Sequence, residues 1–181
     1  MSHRPTISAL APSLGITPDE VNAALPGDEL LRQAQFRCTR AITIEAPPTL
    51  VWPWLVQVGC LRAGFCSNDL LDNLGHPSAR VIVPELQHLE VGQWIPMSPT
   101  GPSDVTALRV EAFEIDEWLL WRKPDSTWAW RLTDTGHGTT RLVTRVHATY
   151  QWNRPLTALP GVALLRGIKE GAETLAKHPD L

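Results

Sequence analysis

Between Val91 and Trp152 turn residues cut the chain into short runs of alternating polarity, and this segmentation constrains the fold more than any other feature. The runs are Val91 to Met97, Thr106 to Ile115, Trp118 to Arg122, Thr127 to Thr133 and Thr140 to Trp152. Pro99 to Pro102 with Gly101, Asp116-Glu117, Pro124-Asp125 and Gly136-His137-Gly138 separate them. A parallel crossover needs roughly a dozen residues or more, so connections this short dictate an antiparallel meander. Alternation assigns the faces: Leu108, Val110 and Ala112 share one, and Trp128, Trp130 and Leu132 share one, with Arg131 and Thr133 opposite.

A meander with an apolar face must be covered, and the end of the chain supplies the cover. Val162, Leu165, Ile168, Ala172 and Leu175 recur at spacings of three and four, with Arg166, Lys169, Glu170 and Glu173 on the other side. That pattern predicts a long amphipathic helix, capped by Thr157 with Pro160 early in it and a Glu173–Lys177 pair along its surface.

One more strand is predicted from Arg37 to Ala46. Cys38, Ile42 and Ile44 fall on one parity, where Arg40 is the odd member, and Thr39, Thr43 and Glu45 fall on the other. Pro47-Pro48 ends it, and Thr49 to Val58 reads as a short helix with Val51, Trp54, Leu55 and Val58 on one side and Pro53 in its first turn. After a loop bracketed by Gly59 and Gly64, Ser67 or Asp69 can cap a second short helix, Leu70 to Leu74. Residues 76 to 90 are irregular, with a turn of helix around Pro84-Glu85-Leu86. Upstream, Thr17-Pro18-Asp19-Glu20 is a helix start with a capping box, and Pro26-Gly27 stops that helix near Leu25. Residues 1–36 are thus expected to be a preamble, and 37–181 a single domain.

The fold class expected is α+β: a curved antiparallel sheet wrapped around a long C-terminal helix, with two short helices after the first strand. Such a sheet does not close completely with side chains and leaves a pocket at its mouth. The chain resembles the START/polyketide-cyclase-like (SRPBCC) superfamily in three blocks. The first is Ala41-Ile42-Thr43-Ile44-Glu45-Ala46-Pro47 followed by Val51-Trp52-Pro53-Trp54-Leu55-Val56-Gln57. The second is Arg62-Ala63-Gly64-Phe65 with Asp69 and Leu71-Asp72-Asn73, and the third Ile82-Val83-Pro84-Glu85-Leu86-Gln87 with Val91-Gly92. The last two are similar to an uncharacterised bacterial subgroup, and the likeness runs from about Leu25 to the C-terminus. The resemblance implies a helix-grip fold and apolar ligands such as lipids, sterols or polyketides. It implies no single reaction, because the superfamily includes carriers, cyclases and co-chaperone-like modules.

Tryptophan is the outstanding residue, with 8 copies against 1 tyrosine and 3 phenylalanines. Trp128 and Trp130 on one strand face, with Trp54, Trp94 and Trp121, either fill a core or line a ligand space with indole faces and N–H donors. Phe65, Asn73 and Leu165 join them as candidate ligand contacts. Asp69, Asp72 and Glu85 are the carboxylates placed to act as a general base if a pocket raises their pKa; Asp69 as a helix cap is the structural alternative. Arg141, Arg145 and His147 share a parity that simple alternation turns to solvent, whereas a bulge would bring Arg145 into the cavity as an anchor for a carboxylate or phenolate.

The remaining composition excludes rather than assigns. A net charge of −3 with scattered basic residues gives no footprint for nucleic acid, and no apolar run reaches the ~20 residues of a membrane span. Nothing before Ala9-Leu10-Ala11 is long and apolar enough for an export signal, so a cytoplasmic location is expected. Cys38, Cys60 and Cys66 lack the spacing of a zinc site, no histidine pair suits a metal, and neither metal nor cofactor is expected. Phosphate-cradling loops, a dinucleotide fingerprint and a nucleophile elbow are all missing. Three functions stay open: binding a small hydrophobic molecule, a cofactor-free cyclase, dehydratase or isomerase, and a protein-interaction module. The chain is expected to be a monomer or homodimer.

Overall fold

The computed structural model describes residues 15–64, 78–149 and 161–178. Its elements are α1 (Pro18–Asn22), β1 (Phe36–Ile44), α2 (Pro48–Val56), a 3-10 turn (Pro84–Leu86), β2 (Trp94–Pro96), β3 (Ala107–Glu114), β4 (Trp118–Lys123), β5 (Ser126–Gly136), β6 (Thr139–Ala148) and α3 (Gly161–Lys177). The strands form one antiparallel sheet in the order β1-β6-β5-β4-β3-β2. This is the α+β helix-grip arrangement, a curved sheet closed on one side by the C-terminal helix. The Leu70 to Leu74 helix and the Thr157 cap lie outside the described residues.

Two cross-strand rows define the inner face, because directly opposed residues point the same way. One runs Cys38–Val146–Trp128–Trp121–Val110; the next runs Arg40–Thr144–Trp130–Leu119–Phe113. Leu164, Leu165, Ile168 and Ala172 of α3 are fully buried against this face, together with Val51, Trp54 and Leu55 of α2. Trp54 lies flat on α3, where a Cβ at position 171 would come within 2.6 Å of its ring, so Gly171 is what lets the two helices approach. Lys169 Nζ donates to the Thr43 carbonyl at 2.8 Å and the Glu45 amide donates to Glu173 Oε1 at 2.8 Å, tying α3 to the end of β1. Glu173 therefore pairs with Lys169 rather than with the predicted Lys177.

Three local expectations change. The α2 helix begins at Pro48, so Pro53 sits inside it rather than in its first turn. The strand predicted from Val91 shortens to Trp94–Pro96, which follows a turn at Gly92 with φ +87°. A β-bulge between Val110 and Ala112 sets Ala112 opposite Leu120 and Phe113 opposite Leu119. Ala112 thus leaves the face it shares with Val110 by simple alternation, and Phe113 takes its place inside.

The outer face is covered as well. Residues set apart in the sequence as a preamble lie across it: Leu25, Leu30 and Ile16 pack on Ala41, Leu120, Ala129 and Val143. The α1 capping box forms, with Thr17 Oγ1 accepting from the Glu20 amide at 3.2 Å and Glu20 Oε2 accepting from the Thr17 amide at 2.7 Å. Alternation along β6 holds without a bulge at Arg145, which therefore points outward. Yet it is only 1% exposed, because the 15–35 segment covers it. Its Nε donates to Thr39 Oγ1 at 2.9 Å, Nη1 to Asp28 Oδ2 at 2.6 Å and the Ala23 carbonyl at 2.8 Å, and Nη2 to the carbonyls of Glu20 at 3.0 Å and Val21 at 2.8 Å. Every N–H of the guanidinium has an acceptor, and three of the acceptors are carbonyls that the end of α1 leaves unpaired. Arg145 is a latch for the N-terminal segment and does not reach the inner face.

This latch makes stability depend on pH. Burial pushes the His147 imidazole below its ordinary 6.5, opposed by the charge of Asp28 and reinforced by Arg37 and Arg145. Asp28 stands 3.8 Å from Nε2, beyond hydrogen-bond range, and already accepts from Arg145, so desolvation prevails. The native chain keeps His147 neutral, and the unfolded chain takes up a proton below pH 6.5; stability is therefore lost as pH falls below that value. Glu20, held down to about 2 chiefly by its hydrogen bond from Arg141, adds a second loss as pH falls from 4.5 towards 2. Thermal melts from pH 8 to pH 3 should show both losses. His147→Gln should remove the first and Glu20→Gln the second; melts of either variant that still parallel the wild type would rule its residue out as the source.

Candidate functional site: the tryptophan wall of the inner face

Trp121, Trp128 and Trp130 form one contiguous aromatic wall at the middle of the sheet. The Trp128 and Trp130 rings stack at 4.9 Å between centroids, and Trp121 meets them edge-on at 5.5 and 5.6 Å. Antiparallel register produces the cluster: Trp121 pairs with Trp128, and Trp130 stands two residues along on the same face. All three are buried.

Their polar atoms fare differently. Trp128 Nε1 donates to Thr144 Oγ1 at 2.7 Å, and that hydroxyl donates onward to the Ala129 carbonyl at 3.0 Å. Trp54, Trp121 and Trp130 each bury an Nε1–H that has no acceptor among the described residues. An unpaired buried donor costs about 1–3 kcal/mol, so the wall holds hydrogen-bonding capacity that the described protein groups do not use. At the end of the wall a cleft of about 40 Å³ lies among Met97, Val105, Leu108, Lys123, Trp128 and Val146. Lys123 Nζ sits 3.1 Å from Asp125 Oδ1 at its rim. That volume holds about a water molecule, well short of the roughly 300–1,000 Å³ of a drug-sized pocket.

The other candidates distribute as follows. Trp54 and Leu165 belong to the inner core. Trp94 is turned away from it: Ile95 is the inward residue of β2, and the Trp94 ring instead receives the Arg109 guanidinium at 3.7 Å on the opposite side. Glu85 is exposed on its 3-10 turn. The side chain that turns inward there is Gln87, whose Nε2 donates to the carbonyls of Pro53 and Val83, while fully buried Gln57 accepts from the Val83 amide at 3.0 Å. Phe65, Asp69, Asp72 and Asn73 lie outside the described residues. The sequence reading missed Trp52, whose ring centroid is 6.2 Å from that of Phe113, as well as Thr144 and Arg40. The signal for the last two was available: pairing the first strand with the last sets Arg40 beside Thr144. Among the described residues no group of histidine, cysteine or acidic side chains is arranged to hold a metal. No described helix is long and apolar enough to cross a membrane.

A curved antiparallel sheet gripping its C-terminal helix defines the class: a helix-grip fold. No protein-family model matches the chain, and no curated protein matches it by sequence. Among solved structures, the Zhui aromatase/cyclase from a Streptomyces species is 15% identical, with 80% of this chain and 98% of that one covered and a TM-score of 0.51. A conserved protein of unknown function from Enterococcus faecalis is 13% identical, with coverages of 85% and 82% and a TM-score of 0.47. A polyketide-cyclase-like protein from Corynebacterium glutamicum is 14% identical, with coverages of 78% and 82% and a TM-score of 0.38. At 15% identity and a TM-score of 0.51, the likeness to the aromatase/cyclase is one of fold.

Proposed function

We propose that the protein binds a small hydrophobic or aromatic molecule against the tryptophan wall. The observation that carries this reading is the pair of adjoining indoles, Trp121 and Trp130, whose buried N–H donors have no acceptor among the described residues in an otherwise apolar face. A ligand with a flat apolar body would gain contact with the rings, and a carbonyl or hydroxyl on it would accept from a donor now unused. The cleft beside Trp128 is the natural way in. It is too small as it stands, so the ligand must part its walls, and flexible Met97 with exposed Val105 at its border are the groups able to move. The fold shared with a protein titled an aromatase/cyclase agrees with this ligand class. A carboxylate-driven reaction is the less favoured reading, because Glu85, the one carboxylate candidate among the described residues, faces solvent.

Titrating the protein with a fatty acid, a sterol and an aromatic ketone while following tryptophan emission tests the proposal. A saturable change is expected with the aromatic ketone, and native mass spectrometry should show a one-to-one adduct. If all three classes leave emission unaltered and no adduct forms, the binding reading is wrong.

A further inference from the structure

We propose that Arg40 is an anion anchor on the inner face, and that the ligand is therefore an acid: an apolar body on the tryptophan wall with a carboxylate against the guanidinium. This rests on the binding reading above and narrows it to a chemical class.

The argument begins with position. Arg40 lies on the inward parity of β1, between Cys38 and Ile42 and directly across from Thr144. In the same row, one strand beyond Thr144, stands Trp130. Two strand spacings separate Arg40 from Trp130, about 10 Å of backbone that two long side chains can bridge with one small ring system between them. The neighbouring row contains Trp128 and Val146, which border the cleft. A molecule entering beside Trp128 therefore reaches the Arg40 row next.

Charge completes the argument. Four arginines of the outer face have carboxylate partners: Arg141 pairs with Glu20, Arg145 with Asp28, Arg122 with Glu111 and Arg109 with Asp104. Arg40 differs. Its Nε is buried, and among the described residues it has no acceptor and no carboxylate pairs with the side chain. A cation set against an apolar face without a counter-charge is unfavourable, and a ligand anion relieves it. The planar guanidinium matches a carboxylate through two parallel N–H···O bonds, a geometry that lysine does not offer.

The test uses 2-naphthoate and decanoate, each beside its methyl ester, followed by tryptophan emission in the wild type, Arg40→Gln and Arg40→Lys. The two acids distinguish an aromatic from a fatty-acid body. We expect 2-naphthoate to bind at least tenfold more tightly than its ester in the wild type. In Arg40→Gln the acid should weaken to the level of the ester. Arg40→Lys should retain part of the preference, and it serves if Arg40→Gln does not fold. Equal binding of acid and ester to the wild type would overturn the anchor and leave the binding reading intact, as would a preference that survives in Arg40→Gln. Failure of all four probes to bind would remove both.

Discussion

Arg145→Met should cost the chain about 3–5 kcal/mol, the range for breaking a buried ion pair from one side. Methionine fills much of the arginine's volume, so the loss comes from the groups left behind. Asp28 loses its charge partner, the carbonyls of Glu20 and Ala23 lose their donor beneath a covering segment, and that of Val21 keeps only Arg37. Urea unfolding of the two proteins measures the difference. Adding Asp28→Asn should cost less in the Arg145→Met background than in the wild type, because the orphaned charge is then removed. A loss below about 1 kcal/mol on Arg145→Met would mean that the 15–35 segment contributes little to the native state.

The second large effect belongs to the tryptophan wall. Trp130→Ala should destabilise by about 3–5 kcal/mol, since it opens a cavity where Trp121 and Trp128 both lean on the deleted ring. The phenylalanine variants are more discriminating. Trp130→Phe removes an N–H that has no acceptor, whereas Trp128→Phe removes one that donates to Thr144. Trp128→Phe should therefore be the more damaging by about 0.5–1.5 kcal/mol, the net worth of a hydrogen bond. Denaturant melts of the pair decide it. If Trp130→Phe is the worse of the two, its indole N–H has a partner in solution, and the main support for a ligand at that position goes.

The sheet and its terminal helix were legible in the sequence because both obey simple periods: two along the strands between short turns, and three to four along α3. The two-residue rule also put Trp128 and Trp130 on one face. It failed where geometry departs from the period, as at the β3 bulge, where one extra residue exchanges Ala112 for Phe113. It also failed at Arg145 for a different reason. Parity gave the correct side of the sheet, but not what lies over it. Leu25, Asp28 and Leu30 sit in a stretch without helical or strand period, so nothing local announced that they cover an apolar and charged surface. The site was less legible still. Trp94 was grouped with the other tryptophans by residue type, yet the register of β2 turns it the other way. Arg40 looked like an interruption of an apolar face until the partner strand was known.

Placing the first strand beside the last has a kinetic consequence. Thr140 donates its hydroxyl hydrogen to the carbonyl of Ala46, a partner 94 positions away, and Arg145 meets Asp28 across 117. Such distant pairings carry a large loop-closure cost before they return any contact, which places this chain with slowly folding topologies. On the ribosome the β2–β5 hairpins can assemble as they emerge, while β1 waits with an open edge for β6. That interval, rather than the finished molecule, is when the chain is most exposed to aggregation and most in need of a chaperone.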